Sequence, residues 1–130
     1  MRTSDSRYVV AVVEDDARVL ESLENLLQSA GHLVRAFGSA GEFLEHGGLT
    51  EADCLISDVG MPDMDGFELE RVVNAQRPEL PVILITGRRD LPPPACRPER
   101  ASNRFFRKPF DGSDLLTAVG AVLPESRRRP

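Results

Sequence analysis

Acidic side chains follow two short apolar runs of this sequence, in a spacing that could support chemistry on a charged group. Glu14 and Asp15 come directly after the β-branched run of residues 8–13, and Asp58 comes at the end of the run that starts at Cys54. The carboxyl ends of parallel strands meet at one edge of an open α/β sheet, where such sheets bind their ligands. We therefore expect these carboxylates to converge at such an edge.

Converging carboxylates repel one another strongly unless a cation neutralises them. Oxygen-only ligation suits a hard ion, and Mg²⁺ typically takes a few carboxylates and completes its shell with water and phosphate oxygens. The residues thus indicate a Mg²⁺ site beside a carboxylate, Asp58, that could act as a nucleophile toward a phosphoryl group. Thr86 and Lys108, which also follow short apolar runs, would supply the hydroxyl and the ammonium that hold the phosphoryl oxygens.

The apolar pattern divides the chain into alternating strands and helices that would position these residues. We predict strands over 8–13, 33–37, 52–57 and 81–86, and a fifth that begins at 105. Apolar residues recur at helical spacing in four segments, where we predict helices: after Asp16, after Ser39, from Phe67 to before Pro78, and from Leu115 to Leu123. This alternation predicts a parallel sheet with helices on both faces. In the strand order 2-1-3-4-5 the first and third strands are neighbours at the switch point where ligands bind.

The segment between residues 88 and 104 departs from this pattern. A helix is due there, but the segment contains Pro92, Pro93, Pro94 and Pro98, and a proline inside a helix costs about 3 kcal/mol or more. We predict a largely irregular segment with at most a turn or two of helix. The segment is also basic, which fits either a solvated loop or a docking patch for an acidic partner.

Size and composition narrow the class of protein. A chain of 130 residues with a net charge of −5 is most simply one domain and is not a general nucleic-acid binder. We expect a domain over residues 1–124 and a polar tail, or the start of a linker, over residues 125–130. No apolar run approaches a membrane span, and the N-terminus does not resemble a signal peptide. Two cysteines without metal-ligand spacing favour a reducing, cytoplasmic location.

Four segments of the chain, in order, resemble the signature segments of bacterial response-regulator receiver domains: VVEDD, SDVGMPDMDG, PVILITG and FFRKPF. The resemblance covers residues 8–123. It implies a flavodoxin-like (CheY-like) doubly wound α/β sandwich with five parallel strands in the order 2-1-3-4-5. Helix 4 of that fold would be short or irregular here because of the prolines. The motifs are most similar to those of nitrogen-fixation (LuxR-type) regulators, whose receivers precede a DNA-binding domain.

The resemblance also implies a role for each residue of the site. Asp58 would accept a phosphoryl group from the histidine of a sensor kinase, with Mg²⁺ as the cofactor. Asp15 would bind the metal directly, Glu14 through water, and Gly60 through its backbone carbonyl, beside Asp58 itself. Thr86 would move onto the phosphoryl group, Lys108 would pair with it, and Phe105 would turn inward on activation.

The function that we predict is a phosphorylation switch of a two-component system, an autocatalytic phosphoryl acceptor and not an enzyme with a diffusible substrate. Its partners would be a sensor histidine kinase and an output domain or protein, which could be a DNA-binding domain in a longer chain. The chain could also form a homodimer. We do not expect it to bind nucleic acid or a membrane directly.

Other classes of protein fit the sequence less well. The main alternative is a pseudo-receiver, an interaction module independent of phosphorylation. The intact acidic and basic residues of the site oppose that alternative, and the disrupted helix 4 favours it. A flavodoxin would need a phosphate loop after the first strand, where this chain has acids. A haloacid-dehalogenase-type phosphatase would need an aspartate at position 60, which is glycine.

Overall fold

One parallel sheet organises the part of the chain that the computed structural model describes, which is residues 8–61, 64–87, 105–108 and 110–123. Its strands lie in the order β2-β1-β3-β4-β5, and all neighbouring pairs are parallel. The predicted strand order and the doubly wound α/β architecture are therefore confirmed. The strands are β1 (Val9–Val13), β2 (Leu33–Phe37), β3 (Cys54–Asp58), β4 (Val82–Thr86) and β5 (Phe105–Arg107).

Five described helices connect or follow these strands: α1 (Ala17–Ser29), α2 (Ala40–Glu45), α3 (Gly48–Glu51), α4 (Gly66–Gln76) and α5 (Gly112–Val122). Four of them begin at a polar side chain that accepts backbone N–H groups of the first turn, as helix N-termini require. Asp65 and Glu68 cap α4 reciprocally, each side chain accepting the other residue's backbone N–H. The remaining capping residues are Asp16, Ser39 and Asp111.

The short helix α3 was not predicted from the sequence. It has only four residues, too few to show a helical period. Gly47 precedes it with φ of 82°, a left-handed conformation that glycine adopts at little cost. This glycine turns the chain from α2 into α3 before β3 begins.

Two separate hydrophobic cores lie on the two faces of the sheet. On one face Phe43 of α2 and Leu69 of α4 pack against alternate strand residues such as Leu55. On the other face Leu27 of α1 and Leu115 of α5 pack against the intervening strand residues. Because β3 is buried along its whole length, the position of Asp58 at its end is determined by both cores.

The register of the strands brings the acidic residues together. Val13 pairs with Ser57 across β1 and β3, so the residues that follow, Glu14 and Asp58, lie side by side at the C-terminal edge of the sheet. Asp58 in turn pairs with Ile85 of β4, which places Thr86 one residue beyond it on the adjacent strand.

Several sequence predictions lie outside the described residues. These are the irregular segment 88–104, including the short or irregular helix 4, and the tail over residues 125–130. Within the described ranges, no helix has both the length and the apolar character needed to cross a membrane.

Candidate functional site

Three carboxylates form a cluster at the C-terminal edge of the sheet, as the sequence predicted. One oxygen from each of Glu14, Asp15 and Asp58 lies within 4.8 Å of the others. Glu14 is 1% exposed and Asp58 is 6% exposed, whereas Asp15 is exposed to solvent. Two charged groups are therefore held out of water while the third faces it.

Backbone contacts fix Glu14 in this cluster. Its N–H donates to the Phe37 carbonyl at 3.1 Å, which continues the pairing of β1 with β2 by one residue. Its side chain accepts the N–H of Asp16 through Oε2 at 3.1 Å. Because Asp16 also caps α1, the start of that helix and the orientation of Glu14 depend on each other.

Lys108 joins the cluster from the far end of the sequence. Its Nζ lies 3.1 Å from Glu14 Oε1 and 3.4 Å from Asp58 Oδ1. Its backbone N–H donates to the Thr86 carbonyl at 2.6 Å, so the pairing of β4 with β5 aims the side chain across the end of the sheet. One ammonium thus bridges two carboxylates that come from different strands.

The charges of this cluster are incompletely balanced. Burial raises the pKa of Asp58, and the nearby Asp15 adds to that rise, while Lys108 opposes it. Burial and the charge of Asp58 likewise raise the pKa of Glu14. Burial opposes protonation of Lys108, but the carboxylates of Asp58 and Glu14 outweigh it, so the pKa of Lys108 is raised.

The donor set suits a hard divalent cation. When all groups are ionised, three carboxylates face one ammonium, which leaves two negative charges uncompensated. The oxygens converge on a point that Asp15 leaves open to solvent, and Mg²⁺ needs such access to keep part of its water shell. The residues present therefore fit the predicted ion.

The loop after Asp58 is held against the strand by a glycine that the sequence analysis did not single out. The N–H of Gly66 donates to the Val59 carbonyl at 2.9 Å. A Cβ atom at position 66 would lie 2.5 Å from the Asp58 carbonyl oxygen, far closer than van der Waals contact allows. The signal in the sequence was a glycine directly after the capping Asp65, at the first position of a helix.

Two of the other predicted site residues lie at the same edge of the sheet, and Phe105 lies at the start of β5, opposite Leu84 of β4. Thr86 is buried at the end of β4, and Gly60 is exposed in the loop two residues after Asp58. Phe105 is half-buried and stacks on Phe67, with ring centroids 6.4 Å apart. The structure thus assembles Glu14, Asp15, Asp58 and Lys108 directly and places the remaining residues around them, while their chemical roles stay predictions.

The two phenylalanines of β5, Phe105 and Phe106, alternate along the strand. Both are half-buried, on opposite faces of the sheet. Phe105 packs against the α2–α4 face and Phe106 against the α1–α5 face, where it meets Phe110 edge to face. Both faces carry helices, so neither aromatic ring of β5 is left fully in solvent.

Comparison with known proteins gives the family. The response regulator receiver domain family matches residues 10–120. The response regulator protein TmoT of Ectopseudomonas mendocina is 38% identical over 120 residues, which are 92% of this chain and 54% of TmoT. The transcriptional regulatory protein FixJ of Azorhizobium caulinodans is 38% identical over 117 residues, 90% of this chain and 56% of FixJ.

The fold has close counterparts among solved structures. A response regulator receiver domain protein from Clostridium thermocellum superposes with a TM-score of 0.80 at 27% identity, covering 88% of this chain and 93% of that one. The chain spans about half the length of the curated relatives TmoT and FixJ. The order of the strands, the cluster at their ends and these matches agree: the chain belongs to the response-regulator receiver domains of two-component systems.

Proposed function

We propose that Asp58 accepts a phosphoryl group from the phosphohistidine of a sensor histidine kinase, and that the modified domain then alters its contact with an output domain or partner protein. The observation that carries this proposal is the position of Asp58. It is a buried carboxylate with a raised pKa, and it lies beside two further acids and 3.4 Å from the ammonium of Lys108.

The transfer is a displacement at phosphorus. A carboxylate oxygen of Asp58 forms the new P–O bond, the P–N bond of the donor breaks, and the donor imidazole keeps the electron pair and takes up a proton. Asp58 must be ionised to attack. Lys108 is already within reach of Asp58 and would hold a phosphoryl oxygen by a charge-assisted hydrogen bond. Thr86 would hold another oxygen from the end of the adjacent strand.

Glu14, Asp15 and Asp58, with the Gly60 carbonyl, would hold Mg²⁺. When bound, the ion neutralises the crowded carboxylates and the phosphoryl oxygens that approach them. The domain would turn over no diffusible substrate, since its chemistry ends with a phosphoryl group on its own side chain and the slow loss of that group to water.

The relatives suggest where the signal goes. FixJ is by its name a transcriptional regulatory protein, and this chain matches about half of it. We therefore propose a longer regulator in which the receiver controls a DNA-binding domain, in the cytoplasm, with pairing of two receivers as one means of control. An interaction module that is independent of phosphorylation would not need a cluster of buried carboxylates, which costs free energy to maintain, so this alternative is not favoured.

Intact-protein mass after incubation with acetyl phosphate tests the proposal. We expect one added phosphoryl group that requires Mg²⁺ and is absent in Asp58→Asn. Asp53→Asn is the matched control, because Asp53 is a second buried aspartate at the other end of the same strand, and it should gain the group normally. No adduct on the unaltered protein at any Mg²⁺ concentration, or an adduct that survives Asp58→Asn, would contradict the proposal.

A further inference from the structure

Two aromatic rings connect the start of α4 with the start of β5. Phe67 is the second residue of α4 and Phe105 is the first residue of β5. Their rings stack at 21° to each other, with centroids 6.4 Å apart. This is an offset-stacked arrangement that aromatic pairs favour. Both rings also pack against the core on the α2–α4 face of the sheet.

Each ring is attached to a separate contact with Asp58. Phe67 directly follows Gly66, whose missing side chain lets the backbone rest on the Asp58 carbonyl oxygen. Phe105 lies three residues before Lys108, whose ammonium reaches the Asp58 carboxylate. The contacts therefore form a closed circuit that runs from Asp58 through Gly66 to the ring pair and returns through Lys108.

A charged surface group packs against the ring pair of this circuit. The guanidinium carbon of Arg107 lies over the Phe105 ring, 5.7 Å from its centroid, at a cation–π distance. Arg107 is exposed and lies on the same face of β5 as Phe105. Any change in the position of the Phe105 ring therefore changes the support of a surface cation.

We propose that Phe67 is a positioning residue that couples Asp58 to the β5 surface by holding the ring of Phe105. A phosphoryl group on Asp58 alters both anchors of the circuit, since it adds bulk beside the loop that leads to Gly66 and gives Lys108 a new partner. The ring pair converts these two changes into a displacement of Phe105 and of Arg107 above it. This inference rests on the proposed phosphorylation of Asp58 and assigns to Phe67 a role in reading it out.

The size of the effect follows from the strength of an aromatic pair. Losing such a pair changes the balance between stacked and unstacked positions by roughly two- to tenfold. That is enough to weaken the coupling substantially without unfolding a domain whose two cores are otherwise intact.

Fluorine NMR on protein labelled with 4-fluorophenylalanine tests the inference directly. The chain has six phenylalanines, and the loss of one signal in Phe105→Leu assigns its resonance. Beryllofluoride with Mg²⁺ serves as the stand-in for the phosphoryl group. We expect it to shift the Phe105 resonance in the unaltered protein and to shift it by less than half as much in Phe67→Leu. Phosphoryl uptake of Phe67→Leu from acetyl phosphate should stay within about twofold of the unaltered protein.

Phe110→Leu is the matched control. Phe110 is also half-buried and also contacts a ring of β5, but it packs with Phe106 on the opposite face of the sheet. The Phe105 response should be unchanged in this variant. Phe67→Met, which keeps a flexible apolar contact, replaces Phe67→Leu if the leucine variant does not fold.

The outcomes separate this inference from the proposed function. A full Phe105 shift in the Phe67 variants overturns the inference, and so does an equal loss of shift in Phe110→Leu. If the unaltered protein takes up the phosphoryl group but the Phe105 resonance does not respond, the inference fails and the proposed function stands. If the unaltered protein takes up no phosphoryl group, both fail.

Discussion

The two ends of β3 each carry a buried aspartate, yet the surroundings of the two carboxylates are opposite in character. Asp53, just before the strand, is 9% exposed, and Asp58, its last residue, is 6% exposed. Asp53 accepts the backbone N–H of Val9 through Oδ2 at 2.8 Å. Asp58 meets two other carboxylates and one ammonium.

The N-terminal end of the strand is a structural junction. Arg77, which follows α4, donates from one guanidinium nitrogen to the carbonyls of Leu49 at 2.8 Å and Ala52 at 2.6 Å. A second nitrogen of its guanidinium binds Glu79 at 3.0 Å. Together with Asp53 this arginine gives polar partners to the turn that leads from α3 into β3.

The contrast shows how one strand serves stability and chemistry at different ends. At the N-terminal end a buried side chain accepts a backbone hydrogen bond and stabilises the start of the strand. At the C-terminal end burial raises the pKa of Asp58, so folding makes the ionised form of this carboxyl group less favourable than it is in the unfolded chain.

The largest effect on stability is expected at the N-terminal end, from Arg77→Ala. Removing this donor takes a hydrogen-bond partner from the partly buried carbonyls of Leu49 and Ala52, which costs about 1–3 kcal/mol, and the variant also loses its bond to Glu79. Urea denaturation should show a loss of about 2–3 kcal/mol. Arg71→Ala, at an exposed position within the preceding helix α4, should change stability by less than about 0.5 kcal/mol. Equal losses in the two variants would show that the junction is not a stabilising centre.

Gly66→Ala is expected to damage the C-terminal end. The added Cβ would approach the Asp58 carbonyl oxygen to 2.5 Å, and relieving such a contact costs about 1–3 kcal/mol. The loop must move away from the strand, so phosphoryl uptake from acetyl phosphate should slow at least tenfold. Gly41→Ala is the control, because its Cβ would meet only Ser39 Oγ at 3.8 Å. Uptake at the normal rate in Gly66→Ala would mean that the loop adapts without cost.

Replacing each aspartate by asparagine should change stability in opposite directions. Asp58→Asn removes a charge that burial and repulsion disfavour, so the free energy of unfolding should rise by about 1 kcal/mol, as replacing a poorly compensated buried charge can do. Asp53→Asn keeps an acceptor for Val9 but weakens the bond, and it should lower stability by about 0.5–1 kcal/mol. Thermal unfolding of both variants measures this, and two changes of the same sign would remove the contrast.

The smallest expected effect is the pH dependence of the rise in the free energy of unfolding that Asp58→Asn produces. The pKa of Asp58 is raised from its ordinary value of 3.8, so the folded state binds this proton more tightly than the unfolded state does. The stability that Asp58 contributes is therefore complete below pH 3.8 and is lost as the pH rises through the pKa of the folded state. Asp58→Asn should match the unaltered protein in acid and exceed it near pH 7, in denaturation experiments without Mg²⁺. A gain that shrinks as the pH rises would contradict this sign.

Much of the architecture could be predicted because short stretches of sequence determine the strands and the helix starts. The β-branched runs gave all five described strands with shifts of at most two residues at their starts, and polar caps such as Asp16 marked the helix starts. Gly31 follows α1 with φ of 93°, a left-handed conformation that is common just after a helix end. The acidic cluster was predictable because strand order alone brings strand ends together.

Other features depend on tertiary contacts that no local pattern records. The stacking of Phe67 on Phe105 joins residues from separate elements, and each residue alone is an ordinary apolar position. Arg77 follows a helix as an unremarkable surface arginine would, and only the fold places the carbonyls of Leu49 and Ala52 around it. The close approach of Gly66 to Asp58 also needs three-dimensional distances, although the glycine itself was visible.

The bond between Lys108 and Glu14 joins residues that are 94 positions apart. During synthesis the acidic residues leave the ribosome first, and the lysine that partly balances them emerges only after β1, β3 and β4 have been made. Contacts of such long sequence separation are unfavourable to form early in folding, because closing the chain between them costs entropy. A nascent or truncated chain would therefore carry the acceptor without its ammonium. Efficient phosphorylation of Asp58 would then be limited to domains that have been translated and folded through β5.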